Sequence, residues 1–154
     1  MDIRIASSGE EIEIVRRLFR EYHASLGVDL CFQNFESELA ELPGKYSAPE
    51  GRLYLAFEGA DVAGCAGLRK IEGGICELKR LYVPPSHRGR GIGRLLAFRA
   101  ITDAREIGYD RMRLDTLPSM QPAQRLYREL GFKPTSPYTE NPIQGALFME
   151  LKLR

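Results

Sequence analysis

Apolar residues in the first part of the chain recur with helical spacing. Ile12, Val15, Phe19, Tyr22 and Leu26 follow one another at alternating intervals of three and four, which puts them on one face of a helix. Ser8 and Glu11 stand where a capping box would start that helix, and Gly27 where it would stop. The preceding IRIA alternates as a short strand, and a second, shorter helix is predicted through Phe35 and Leu42, ended by Pro43-Gly44. The period then shortens to two. RLYLAFEG, DVAGCAGLRKI and GICELKRLYV read as three consecutive strands separated by turns at 59–61 and 72–74, the spacing of an antiparallel meander. After Pro84-Pro85 and a glycine-rich stretch, the helical period returns through Leu95, Leu96, Ala100, Ile101, Ala104 and Ile107 and is closed by Gly108. DRMRLDT alternates as a strand, PSMQPAQRLYREL predicts a helix with Pro122 near its first turn, and ALFMELKL is the last strand.

The predicted order, β-α-α-β-β-β-α-β-α-β-β, defines an α+β (mixed α/β) class with helices packed on a central, mostly antiparallel sheet. A chain of 154 residues suits one domain spanning 1–154. Its 44% hydrophobic and 28% charged residues exclude collagen-like repetition and wholesale disorder. Apolar runs such as residues 53–57 are far shorter than the roughly 20 residues that cross a bilayer, so no membrane partner is expected. The opening MDIRIASSGEE lacks the basic-then-apolar order of a secretory signal, and a cytoplasmic location is expected. Cys31, Cys65 and Cys76 show no CxxC spacing and only two histidines accompany them, so reduced thiols and no metal site are expected.

Charge changes this picture, because the net +1 is unevenly spread. Residues 1–61 carry six Lys and Arg against twelve Asp and Glu, whereas residues 79–113 carry nine against three. A basic segment with glycines suits an anionic ligand, either a phosphate group or a nucleic acid. The segment lacks interleaved basic and aromatic residues and a recognition-helix signature, so nucleic acid is not expected as a partner. In RGRGIG, residues 88–93, Gly89, Gly91 and Gly93 let several backbone N–H groups converge at a helix start, and Arg88, Arg90 and Arg94 add formal cations there. The chain has neither the GxxxxGK[ST] of a nucleotide P-loop nor a GxGxxG after an early strand.

ELKRLYVPPSHRGRGIGRLL resembles the acyl-CoA-binding motif of the GNAT superfamily of N-acetyltransferases, with Arg88, Gly91 and Gly93 in the positions of its [RQ]xxGx[GA] loop. AQRLYRELGF, residues 123–132, is similar to the second motif of that family, a helix carrying Leu-Tyr and ending in Gly-Phe. Order, separation and the elements ahead of the two motifs extend the resemblance over essentially the whole chain. It implies a bent sheet splayed open after the third of the central strands, with the pantetheine arm of acetyl-CoA pairing along Leu81, Tyr82 and Val83. The pyrophosphate would lie on the backbone of Arg88, Gly89, Arg90, Gly91, Ile92 and Gly93. Where many members carry an asparagine that contacts the arm, this chain has Met120, and Ser119 or a water would take its place.

The resemblance implies N-acetyl transfer by direct attack of an amine on the thioester, without a metal or a covalent enzyme intermediate. Glu77, eleven residues before Arg88, is the candidate base, acting directly or through water. Tyr127, at the tyrosine position of the second motif, is the candidate acid toward the leaving thiolate, and Leu81 or Tyr82 N–H the candidate oxyanion donor. Strand alternation puts Lys79 on the face of Glu77, and Arg80 on the other unless a bulge intervenes. The loop of residues 136–145, with Tyr138 and Asn141, and the first helix, with Tyr22 and His23, would overhang the acceptor site. Cations there favour a small amine that bears its own anionic group, such as an amino acid. A non-catalytic acyl-CoA-binding module and transfer to a protein amine stay open, and a homodimer is possible because dimers are common in the family.

Overall fold

The computed structural model describes residues 1–27 and 34–154; Cys31 lies outside the described residues. The elements are β1 (Asp2–Ile5), α1 (Gly9–Leu26), α2 (Phe35–Glu41), β2 (Arg52–Glu58), β3 (Asp61–Glu72), β4 (Ile75–Tyr82), α3 (Ile92–Ile107), β5 (Arg111–Thr116), α4 (Gln121–Glu129), β6 (Lys133–Pro134) and β7 (Leu147–Lys152). Their order is the one the hydrophobic periods predict. The capping box forms as read: Ser8 Oγ accepts from the Glu11 N–H at 3.1 Å, and the Glu11 carboxylate accepts from the Ser8 N–H at 3.1 Å. Gly27 and Gly108 end α1 and α3 in left-handed conformations.

All seven strands join one sheet in the order β1-β2-β3-β4-β5-β7-β6. Every neighbouring pair is antiparallel except β4 and β5. Alternation along β2 builds two cores, one on each face. Leu53, Leu55 and Phe57 pack with Ile12, Val15, Leu18 and Phe19 of α1 and with Phe35 and Leu39 of α2. Tyr54 and Ala56 point the other way, into a cluster with Ile92, Leu96 and Ala100 of α3 and Tyr127 of α4. Gly64 is required for this packing, since a Cβ there would lie 2.9 Å from Leu96 Cδ1 and 3.0 Å from the Tyr82 carbonyl.

Two features of this sheet position everything that follows. The parallel β4–β5 ladder covers only residues 75–77 against 111–113, so the strands part beyond Glu77 while β4 stays paired to β3 and β5 to β7. The β3–β4 register also slips twice, once near Ile71 and again past Lys79, where Arg80 adopts a left-handed φ of 59°.

Candidate active site

The second irregularity corrects the alternation expected of β4. Arg80 does not turn away from Glu77 and Lys79: the bulge adds a residue, and its side chain emerges toward α2 on their face. There its guanidinium binds the Glu38 carboxylate through two bonds of 3.0 and 3.1 Å and lies over the Phe35 ring, 5.1 Å from the centroid. Burial pushes the Glu38 carboxyl up, but the two-pronged contact with Arg80 outweighs it and holds the group below the usual range. Burial likewise opposes the Arg80 charge, and Glu38 more than restores it.

Beyond Glu77, each of the two parted strands keeps a neighbour on one side alone, and their facing backbone groups require other partners. Tyr22 of α1 and Tyr127 of α4, on opposite faces of the sheet, both line the narrow cavity between the strands, with Leu81, Asp115, Thr116 and Met120. The buried Oγ1 of Thr116 has no hydrogen-bond partner among the described residues. Met120 stands at the start of α4 without a side-chain cap, and Ser119 is exposed beside it. Tyr127 packs edge-on against Phe132 with centroids 5.7 Å apart, and burial, reinforced by Tyr22 and Asp115, raises its hydroxyl well above the usual tyrosine range. Burial also pushes Tyr22 up to about 12.

At one end of the gap lies the glycine loop. Gly89 and Gly91 have φ of 79° and 77°, values that cost other residues energy, and Gly91 directly precedes Ile92, the first residue of α3. The loop is tied to β4 by Arg88 Nε, which donates to the Val83 carbonyl at 2.9 Å. Gly93 sits beside Val83 and Leu126, so the α3 terminus, the end of β4 and α4 converge. Arg90 and Arg94 are engaged by Glu58 and Glu129 at exposed positions, pairs that bind weakly and can be exchanged for an anionic ligand. A strand edge lacking its partner, an orphaned hydroxyl and a helix N-terminus with free N–H groups fit an amide-containing arm that ends in a pyrophosphate.

On the α2 side of β4 opens a cleft of about 630 Å³, walled by Glu38, Tyr46, Arg69, Glu77, Lys79 and Tyr138 among others. Lys79 borders both this cleft and the gap, so it marks where the two meet. Its burial lowers the ammonium pKa to about 8, with Glu77 opposing that shift and Arg80 and Arg69 adding to it. Glu77 is only 2% exposed. Its Oε1 accepts from Arg69 Nε at 2.9 Å and its Oε2 from the Tyr138 hydroxyl at 2.5 Å. Burial works against the Arg69 charge, but Glu77 holds its pKa above the ordinary value.

The loop of residues 136–145 therefore does reach the site, Tyr138 to Glu77 and Asn141 to Asp115, where its Nδ2 donates at 3.1 Å. His23 is placed differently from its neighbour Tyr22: its ring lies 4.7 Å from that of Phe35, and it lines neither cavity. Cys76 faces the α3 core on the far side of β4, where burial pushes its thiol up to about 12, and Cys65 is buried as well. Sequence reasoning did not identify Arg69, Glu38 or Thr116. The signal available for Arg69 was its place in β3 across the hairpin from Glu77.

This chain belongs to the acetyltransferase (GNAT) family, whose sequence profile matches residues 12–132. It is 40% identical to an uncharacterized N-acetyltransferase of Schizosaccharomyces pombe, over 94% of this chain and 90% of that protein. Its fold is that of a GNAT-family acetyltransferase from Staphylococcus aureus, with a TM-score of 0.81 at 20% identity, over 99% of this chain and all of that one. A Salmonella typhimurium structure determined with its cofactor acetyl-CoA superposes with a TM-score of 0.71 at 25% identity, over 100% of this chain and 94% of that one.

Proposed function

We propose that this protein is an acetyl-CoA-dependent N-acetyltransferase whose acceptor is a small amine bearing an anionic group, such as an amino acid. The observation that carries the reading is the parting of β4 and β5 beyond Glu77, closed at one end by the glycine loop and meeting the acceptor cleft at Lys79. The acetyl-CoA bound to the Salmonella typhimurium relative supports the same cofactor here. When bound, acetyl-CoA supplies an activated thioester, with Leu81, Tyr82 and Val83 holding its amide arm and residues 88–93 its pyrophosphate.

The chain's own residues account for the rest. Leu81 or Tyr82 N–H offers a donor to the developing oxyanion, at the point where the bulge bends β4. The Tyr127 hydroxyl, kept protonated by burial, donates a hydrogen bond to the departing thiolate. Glu77 is the final proton acceptor, and Lys79 offers the acceptor's anionic group a cation at the mouth of the gap. The assay is thiol release from acetyl-CoA with a panel of the common amino acids and, in parallel, polyamines. The expected result is turnover with an amino acid, a raised Tm in acetyl-CoA, and a lower kcat/KM for that amino acid after Lys79→Ala. A preference for polyamines would refute the acceptor class, and no thermal shift with acetyl-CoA would refute the cofactor.

A further inference from the structure

One hydroxyl binds the buried carboxylate at the wall of the acceptor cleft. Glu77 reaches solvent with only 2% of its surface, and each of its oxygens already accepts a hydrogen bond, from Arg69 and from Tyr138. Tyr138 is half-buried and lines the cleft. Its ring is fixed edge-on against Phe148 of β7, centroids 5.5 Å apart, and beneath the Arg113 guanidinium of β5 at 5.6 Å. Glu77 borders the same cleft but is almost closed to solvent, so an amine entering the cleft meets the more exposed Tyr138 with its hydroxyl already bonded to the carboxylate.

We propose that Tyr138 is a catalytic residue of the transfer reaction, a proton relay that takes the acceptor's proton on its Oη while passing its own to Oε2 of Glu77. The inference rests on the acetyltransferase reading. In the step, the amine nitrogen bonds to the acetyl carbon and the carbon–sulfur bond breaks, its electron pair leaving as thiolate. The nitrogen keeps the electrons of its N–H bond and the proton goes to Tyr138. Tyrosine ends neutral and Glu77 ends as the neutral acid, which later returns the proton to solvent by the same route.

The surroundings require the two transfers to be coupled. Burial first, then the charges of Glu77 and of Asp115 on β5, raise the Tyr138 hydroxyl well above the usual range, and Arg69 of β3 offsets them only in part. Lys79 of β4, Glu38, Glu41, Lys45, Lys70 and Glu140 also line this cleft, and Arg113 lies over the Tyr138 ring. A free tyrosinate is thus costly, and an oxygen that loses one proton as it gains another avoids it. The 2.5 Å bond is the geometry such a hand-over needs.

The test uses the full chain and the fastest amino acid of the acceptor panel, with single-turnover transfer followed against pH. Tyr138→Phe keeps the ring on Phe148 and removes only the relay oxygen. It is expected to slow transfer roughly a hundredfold near pH 7, to recover as pH nears the acceptor's own pKa, and to leave acetyl-CoA affinity unchanged, with Tm lowered by the loss of one hydrogen bond to the buried carboxylate. Glu77→Gln should show the same loss, and the double variant should fall within about threefold of either single one, because one route is broken only once. Wild-type rates and pH profile in Tyr138→Phe, or losses that multiply in the double variant, would overturn the relay and leave the acetyltransferase reading standing. Should either variant fail to fold, the rate of the unmodified enzyme in mixtures of light and heavy water decides. A bowed dependence reports two protons in flight, and a linear one refutes the relay. A chain that binds acetyl-CoA but acetylates no amine overturns both.

Discussion

The role proposed for Tyr127 would join packing and chemistry in one side chain. Its ring belongs to the α3-side core, yet it also lines the gap that the parted strands open to Tyr22 on the other face. Because burial keeps its proton bound far above neutral pH, Tyr127→Phe should lower kcat by about tenfold at every pH from 6 to 9 with KM for acetyl-CoA little changed. A loss confined to low pH would assign the tyrosine to the amine's proton instead, the role given to Glu77 and Tyr138. Glu38 is a residue-scale case of a different kind. Its pair with Arg80 is almost fully enclosed, so Glu38→Gln strands a buried guanidinium and should cost about 3 kcal/mol or more in urea unfolding. An exposed pair such as Arg4 with Asp2 should cost under about 1 kcal/mol when broken.

At the scale of elements, hydrophobic period and punctuation identify the four α-helices of the described residues and the three-strand meander, because Ser8, Gly27, Gly59, Gly73 and Gly108 mark ends by local conformational preference. What local preference cannot encode is register. The turn at Gly73-Gly74 pairs Glu72 with Ile75, and an unbroken ladder would then set Glu77 opposite Lys70. The slip near Ile71 sets it opposite Arg69, so the guanidinium that clamps Glu77 comes from a neighbouring position. The second slip turns Arg80 onto the α2 face, against the alternation of a regular strand. The partners that these slips bring Arg80 and Glu77 to, Glu38 of α2 and Tyr138 of the 136–145 loop, lie at long distance in sequence. The glycine loop, by contrast, was legible because its geometry is local: left-handed residues and a helix start are written in consecutive positions. Gly91→Glu therefore tests an element rather than a contact. No heavy atom lies within 4 Å of the Cβ it would add, but φ of 77° strains it and the carboxylate faces the anion seat. Acetyl-CoA affinity by calorimetry should fall more than about tenfold while Tm drops only slightly; unchanged affinity would remove the loop from the binding site.

For the molecule as a whole, the site carries a cost that pH can expose. Burial sets the Lys79 pKa at about 8 in the fold, against 10.5 for the unperturbed group. Between these values the unfolded chain holds a proton that the folded chain has released, so the contribution of Lys79 to stability rises with pH across that interval. Below about 8 both states are protonated and the full penalty of burying the ammonium is felt. That contribution from pH 8 to 10 should amount to roughly 2–3 kcal/mol, read as the difference between the unmodified protein and a variant without the amine. Other groups oppose it: Cys76 from about pH 9, and Tyr22 and Tyr109 from about pH 10, stay protonated in the fold, where burial holds them at about 12, while their unfolded counterparts ionise. Lys79→Met should thus be more stable than the unmodified protein at pH 7, with the two curves of unfolding free energy converging by pH 10. A constant difference between them would mean that Lys79 keeps its ordinary affinity for protons within the fold. The convergence expected here ties the proposed acceptor site to the fold's energetics: the same buried amine that marks the junction of gap and cleft is one the protein would be more stable without at neutral pH.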